Sequence, residues 1–190
     1  GGTYNGAQQV EISCATTGAE IRYTTDGSEP STTNGTVYSE TLTINDDSVL
    51  KAIAVKDGMT SSEVVSAEYV INYSLTTAVS PSSAGSITVD PDKNSYKYGD
   101  EIELTATANS GYNFSGWSGD ISGIVNPEIL TIDDNKSVTA EFTAWDVVAE
   151  PQFSLEGGTY NGAQQVEISC ATTGAEIRYT TDGSEPSTTN

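Results

Sequence analysis

The sequence predicts an all-β protein built from tandem small β-domains. Short runs rich in Val, Ile, Thr and Tyr recur roughly every eight to twelve residues, and Gly, Asp, Asn and Ser separate them. No segment places apolar residues at a helical spacing. Hydrophobic residues are only 35% of the chain, but they include 10 Tyr, 3 Phe and 2 Trp, and such large side chains can fill the cores of small domains.

The chain repeats itself. Residues 157–190 are identical to residues 1–34, with Gly157 standing 156 residues after Gly1. This period exceeds the roughly 20–50 residues of a solenoid repeat and suits one large domain or two small ones. Two explanations remain for the repeated ends. Either the chain is a window on a longer array, or each subunit lends its tail to the next by strand exchange. We favour the window, because exchange would need only residues 151–156.

Residues 1–72 predict a sandwich of five or six short antiparallel strands. Val10 and Ile12 share one strand face, Ile21 and Tyr23 share another, and 45–47 (NDD) predicts a tight hairpin. The segments IRYTTDGSEPST, TVYSETLTI and SVLKAIAVKDGMTSSEVVSAEYVI closely resemble the Ig-like domain at the C-terminus of chitobiases and hexosaminidases. The resemblance implies an Ig-like or fibronectin-like sandwich without catalytic residues of its own.

Residues 73–144 form a second block. Its segments YKYGDEIELTATA, GYNFSGWSGD and KSVTAEF resemble the divergent InlB-type B-repeat of bacterial surface proteins. That resemblance implies a small antiparallel β-domain used in tandem on cell surfaces. Residues 145–150 (WDVVAE) predict a linker, and 151–190 predict the first strands of the next, identical Ig-like domain. The segment PQFSLE is its expected first strand, which the 1–72 domain lacks.

Composition argues against several classes of function. The 27 acidic and 7 basic residues give a net charge of −20, which disfavours nucleic acid and anionic lipid as partners. No apolar run is long enough to insert into a membrane. The absence of histidine removes the Ser-His-Asp and Cys-His mechanisms, so we expect no enzymatic activity.

Two tryptophans are candidates for specific roles. In the segment GWSGD, Trp117 could stack on a sugar ring while Asp120 accepts its hydroxyls, and the alternative is that Trp117 packs in the core. Trp145 lies beside the linker and is expected to pack between domains.

Acidic turns are the candidates for a metal site. Ca²⁺ takes several oxygen ligands, and it is the one cofactor the sequence suggests. The candidate ligands are Asp26, Glu29, Asp46, Asp47, Asp133 and Asp134. None shows the spacing of a dedicated calcium loop, and Asp is also common in turns for its local hydrogen bonds.

Each 156-residue unit has a single cysteine, seen twice as Cys14 and Cys170. No disulfide can therefore form within a unit. The pattern predicts a small buried residue, with a crosslink between chains as the alternative.

The sequence thus predicts a structural repeat unit of a long extracellular or cell-surface protein of a prokaryote. Such a protein would form a stalk, fibre or filament, and the expected partner is the protein itself in neighbouring repeats or subunits. The alternative is a carbohydrate-binding accessory module of a secreted glycan-active enzyme or adhesin, with polysaccharide as its partner.

Overall fold

A computed structural model describes residues 1–187 of the chain. They form β-strands and no helix, so the predicted all-β class is confirmed, and no helix among them could cross a membrane. The chain divides into two compact units, Gly1–Ala144 and Trp145–Asn190, which we describe separately. Residues 188–190, the end of the predicted segment 151–190, lie outside the described residues.

The first half of the larger unit, residues 1–72, contains seven short strands. They are β1 (Gly2–Asn5), β2 (Gln8–Val10), β3 (Glu20–Thr24), β4 (Thr36–Val37), β5 (Leu42–Ile44), β6 (Ser48–Val55) and β7 (Val65–Asn72). Five form one sheet in the order β1-β7-β6-β3-β4, and β2 pairs with β5 in a second sheet. Ile44 of β5 and Leu50 of β6 are buried in the same core, as expected where two sheets pack face to face.

One pairing in this half differs from the antiparallel prediction. β1 runs parallel to β7, with Gly2 opposite Tyr69 and Asn5 opposite Asn72. These are the first and last strands of the half, and no hairpin joins them. Turn geometry therefore does not dictate their relative direction.

The hairpin predicted at residues 45–47 is also wrong. β5 pairs with β2, whereas β6 pairs with β3 and β7, so these residues carry the chain from one sheet to the other. The Asp47 carboxylate accepts a hydrogen bond from the backbone N–H of Ile71 at 2.9 Å. This bond holds the corner against β7.

The second half of the larger unit, residues 73–144, contains six strands. They are β8 (Leu75–Ser80), β9 (Gly85–Asp90), β10 (Glu101–Ala108), β11 (Tyr112–Gly119), β12 (Glu128–Thr131) and β13 (Lys136–Ala144). They form two three-stranded sheets, in the orders β12-β10-β9 and β11-β13-β8. β13 runs parallel to β8, again contrary to the antiparallel prediction, because four other strands separate them and no hairpin links them.

Alternating side chains of the second half form its core. Ile102 and Leu104 of β10 are fully buried, and so are Val138 and Ala140 of β13 in the other sheet. This period of two places one face of each strand inward. Buried hydrophobic residues from both halves belong to one continuous cluster that runs from Ile44 to Phe142.

The smaller unit contains two strands among its described residues, β14 (Gln152–Phe153) and β15 (Ile168–Ser169), which pair antiparallel. β14 lies within the segment PQFSLE, and the assignment of that segment as the first strand of an Ig-like domain stays a prediction. Residues 157–187 repeat 1–31, yet they do not form the counterparts of β1, β2 and β3. β1 and β3 depend on pairing with β7 and β6, and this unit contains no copy of either strand.

The two copies of the cysteine also differ in their exposure and in their contacts. Cys14 is exposed, so the prediction of a buried residue is wrong for the first copy, while Cys170 is partly buried. The Cys170 thiol donates to the backbone carbonyl of Ala149 at 3.1 Å. The Cys14 sulfur instead accepts a hydrogen bond from the backbone N–H of Thr16 at 3.4 Å.

Candidate functional site: the joint between the two halves

The two halves of the larger unit are linked by only two residues, Tyr73 and Ser74, between β7 and β8. Tyr73 is 1% exposed, and its backbone N–H and carbonyl exchange two 2.9 Å hydrogen bonds with Tyr96. Its phenol donates to the carbonyl of Asn45 at 2.7 Å. Burial raises the pKa of Tyr73, and the negative charge of Asp134 raises it further. The link is therefore anchored to both halves.

Asp47 connects the corner of the first half to the second half. Its Oδ1 accepts from Ile71 N at 2.9 Å and from Lys97 Nζ at 2.8 Å. Lys97 Nζ also donates to the Ile71 carbonyl at 2.8 Å. The pKa of Asp47 lies below its ordinary value, chiefly because of the bond from Lys97 and then that from Ile71 N.

Asn135 forms the third contact. Its Oδ1 accepts from the backbone N–H of Ser74 at 2.9 Å and from the Ser74 hydroxyl at 3.0 Å. On its other side lies Gly6, which has a φ of 96° and where an added Cβ would stand 3.3 Å from Asn135 Nδ2. Only glycine adopts this conformation readily and leaves room for the amide.

We call the residues Asp47, Tyr73, Ser74, Lys97 and Asn135 the joint. Each joins the first half to the second, or fixes the link between them, by direct hydrogen bonds. The continuous buried core lies beneath them. The joint holds neither a histidine nor a cysteine, and its chemistry suits holding two domains in one orientation.

The structure places Trp117 in the core of the second half. Its side chain is 4% exposed, its Nε1 donates to the Val125 carbonyl at 2.8 Å, and its ring meets Phe114 edge-on at 5.2 Å. A sugar needs an open ring face, and Trp117 offers none. The packing alternative therefore describes this residue. Asp120 is exposed, and its Oδ2 accepts from Ser137 N at 2.6 Å.

The six candidate calcium ligands lie in three turns, two in each, and most of them have partners within the protein. Asp26 binds Ser28, which lowers the pKa of its carboxyl group, and Glu29 pairs with Lys51. Asp133 pairs with Lys136, and this bond likewise lowers its pKa.

The remaining three candidates have other partners. Asp46 and Asp134 each accept from the next residue's backbone N–H at 2.7 Å, and Asp47 belongs to the joint. Among residues 1–187, no three Asp, Glu, Cys or His side chains come close enough to hold a metal ion. The described residues therefore offer no arrangement of carboxylates that would support the calcium hypothesis.

Trp145 is the first residue of the smaller unit and is 56% exposed. Its predicted packing between domains stays a prediction.

The sequence alone does not single out most residues of the joint. Asp47 is among the candidates, but as a calcium ligand. Lys97, Tyr73 and Asn135 are not, because their partners lie 26 to 61 residues away in the chain. The available signal was Lys97 itself, one of only 7 basic residues in the chain, which lies between β9 and β10.

Comparison with family models accounts for both halves. The model of the chitobiase/beta-hexosaminidase C-terminal domain matches residues 1–66 and 155–190, which together exceed half of the chain. The chain belongs to this family. A second model, the divergent InlB B-repeat domain, matches residues 75–146. Neither a curated protein nor a solved structure matches the chain.

The family assignment agrees with the fold. An Ig-like member of the chitobiase/beta-hexosaminidase C-terminal family alternates here with an InlB-type surface domain, and the joint lies where the two matched segments meet. Both domain types are non-catalytic and typical of secreted or surface proteins. They are compatible with a structural module at a cell surface.

Proposed function

We propose that this chain is a non-catalytic structural repeat unit of a long extracellular or cell-surface protein of a prokaryote. In this role the units form a stalk, fibre or filament, and their partners are neighbouring copies of themselves. The observation that carries the proposal is the joint, which fixes an Ig-like half to an InlB-type half inside a chain that repeats every 156 residues.

The joint supports this role because a stalk needs elements that resist bending. A flexible linker would let each domain rotate freely. Here two residues connect the halves, side chains of both bind across the boundary, and one core runs through both. Identical repetition makes each such joint equivalent along an array.

Charge supports the same role. A net charge of −20 on 190 residues keeps neighbouring chains apart and soluble. The lack of histidine and the two non-catalytic families support the absence of catalysis.

The test is to express two, three and four 156-residue units in tandem and to image them by negative-stain electron microscopy. We expect rods that lengthen by a constant increment of roughly 50–70 Å per unit, from strands of about 3.3 Å per residue. The matched control carries Asp47→Ala and Tyr73→Phe in every unit, and its rods should bend more. Lengths that grow only as the square root of the unit number, as in a flexible coil, would contradict the proposal.

A glycan array separates this function from the carbohydrate-binding alternative. That alternative depends on an accessible Trp117 ring, and the ring is buried. We expect the full chain to bind no glycan specifically. Specific binding to one class of polysaccharide, together with the absence of rods, would favour the accessory module instead.

A further inference from the structure

Each half of the larger unit places its first and last strands side by side in the same direction. β1 runs parallel to β7 over four residue pairs, and β8 runs parallel to β13 over six, beginning with Leu75 opposite Lys136. β8 is the edge strand of its sheet, and β13 is the strand that holds it. The second half begins and ends on this pair, so tension along the chain acts directly on it.

The direction of β8 and β13 decides how tension strains them. The chain enters β8 from Ser74 and leaves β13 at Ala144, and because the strands are parallel these points lie at opposite ends of the pair. Pulling the two points apart slides one strand along the other. The evenly spaced hydrogen bonds of the parallel ladder are then strained together. Pulling both strands from the same end would instead break the bonds one after another.

The hydrogen bonds between β8 and β13 can be assigned from the first one. Lys136 N donates to the Ser74 carbonyl at 2.8 Å. Because the donors of each strand alternate along a parallel ladder, the N–H groups of Thr76 and Ala78 point towards β13. The N–H group of Thr77, between them, points away from β13. The two kinds of position on β8 can therefore be changed separately.

The end of the ladder that faces the first half has additional hydrogen bonds. Asn135, just before β13, accepts from the backbone N–H of Ser74 at 2.9 Å and from its hydroxyl at 3.0 Å. Together with the bond from Lys136 N, three hydrogen bonds hold Ser74 at the point where tension from the first half arrives. Residues of the joint thus stand at the loaded end of the ladder.

Side chains of both strands oppose the same sliding motion. Val138 and Ala140 of β13 are fully buried, and Leu75 and Val79 of β8 pack against the same core. The interior of a protein is close-packed, so a displaced side chain finds no second place to fit. Movement of β8 along β13 must therefore break the hydrogen bonds and withdraw these side chains from the core.

We propose that β8 and β13 form a mechanical clamp, which makes the second half resist tension applied along the chain. The six residue pairs, the bonds at Ser74 and the packing of β8 on the core all give way in one step. The inference deepens the structural role proposed above, because it names the load that each unit withstands. It depends only on residues 73–144, which continue into further chain at both ends.

Pulling the full chain in two directions with optical tweezers tests the clamp. In a Cys14→Ser, Cys170→Ser background, handles attached through Asn72→Cys, at the end of β7, and Asp146→Cys, after β13, load the clamp along its strands. The comparison protein carries its handles at Ser82→Cys, in the exposed turn after β8, and at Asp146→Cys, so the same strands are opened from one end.

We expect the pull along the strands to need at least about twice the force of the pull from one end. Forced unfolding is limited by the unfolding barrier, and bonds that break together present a higher barrier than bonds that break singly. A release of about 70 residues, each about 3.3–3.6 Å when extended, identifies the second half as the part that unfolds. Equal forces in the two directions would overturn the proposal.

Two proline variants distinguish the ladder from general stability. Ala78→Pro removes an N–H group that points to β13, whereas Thr77→Pro removes one that points away, where an edge strand tolerates proline. We expect Ala78→Pro to reduce the ratio of the two forces by at least about one third, because fewer bonds are strained together. Thr77→Pro should keep the original ratio, and circular dichroism checks that both variants fold. A general loss of stability would lower both forces and leave their ratio unchanged, and that result for Ala78→Pro would refute the role of the ladder.

The clamp and the structural role can fail separately. Regular rods from tandem units whose second half unfolds at the same force in both directions would refute the clamp and leave the structural role standing. A force that depends on direction, without rods, would refute the structural role and leave the clamp standing.

Discussion

Lys97 Nζ lies 2.8 Å from Asp47 Oδ1 and also 2.8 Å from the carbonyl oxygen of Ile71. One ammonium group of the second half therefore binds a side chain and a backbone group of the first. Asp47 in turn accepts from Ile71 N, so the three residues close a ring of hydrogen bonds around the boundary. The following predictions concern this ring, its neighbour Tyr73 and the core behind them.

The change Asp47→Ala removes the acceptor for both Ile71 N and Lys97. We expect the free energy of unfolding of the larger unit to fall by about 1–2 kcal/mol, near the net value of two hydrogen bonds and reduced by the exposure of the pair. Urea unfolding of the full chain, followed by Trp117 fluorescence in a Trp145→Phe background, measures it. Asp57→Ala, in the exposed turn after β6, is the control and should change stability by less than about 0.5 kcal/mol. Equal losses in both variants would refute the role of the ring.

The ionisation of Asp47 should also make the stability of the protein depend on pH in the acidic range. Lys97, and after it Ile71 N, hold the pKa of Asp47 below its ordinary value, so the folded-state pKa lies under the unfolded one. The contribution is fully present above about pH 4 and is lost as the pH falls through the folded pKa. We expect the melting temperature of wild type to drop more steeply below about pH 4 than that of Asp47→Asn, which cannot ionise. Asp100 keeps a slope in both proteins, because the Lys97 backbone N–H also lowers the pKa of its carboxyl group. Parallel curves would contradict this prediction.

The ionisation of Tyr73 should make the stability of the protein depend on pH in the alkaline range. Burial raises its pKa above the ordinary value, so its contribution is present below about pH 10 and lost as the pH rises through the folded pKa. The phenolate can no longer donate to Asn45. We expect Tyr73→Phe to cost about 1 kcal/mol at neutral pH and to flatten the loss of stability above about pH 10. Urea unfolding across this pH range measures both effects. Tyr179→Phe, at a residue of the smaller unit that is 66% exposed, is the control and should keep the wild-type slope.

Replacing the buried Trp117 is expected to lower the stability of the larger unit strongly. Replacing it with Ala empties a buried site and leaves the Val125 carbonyl without its indole donor, at a cost of about 3–5 kcal/mol. Thermal unfolding by circular dichroism measures this loss. Trp145→Ala is the matched tryptophan change, and at 56% exposure it should shift the melting of the larger unit little. A stable Trp117→Ala variant would show that the packing of this ring is dispensable.

The sequence predicts the fold class and its inward faces, because the period of two is local information. Val10 and Ile12 pack against the core as their alternation predicts. The direction of β1 and β13 and the corner at 45–47 could not be predicted in the same way. They depend on which distant strand each segment pairs with, and no connecting turn in the sequence determines that pairing.

The joint was harder to predict than the core for a related reason. Asp47 and Lys97 stand 50 residues apart, and each is an ordinary surface residue until the two halves meet. From the sequence alone, an acidic turn could bind calcium as readily as it could pair with a lysine. Only the three-dimensional arrangement, with Lys97 beside Ile71, distinguishes the two.

Two identical stretches in unlike surroundings have a consequence for mass spectrometry. Protease fragments from residues 1–34 and from their duplicate have the same mass, so one peptide signal reports both. In the first copy the backbone amides of β1 and β3 are paired in a sheet, while those of the duplicate are not in strands. Deuterium uptake by such a peptide should therefore show two isotope envelopes at early times, one slow and one fast. That double envelope arises from the duplication itself and does not indicate cooperative unfolding.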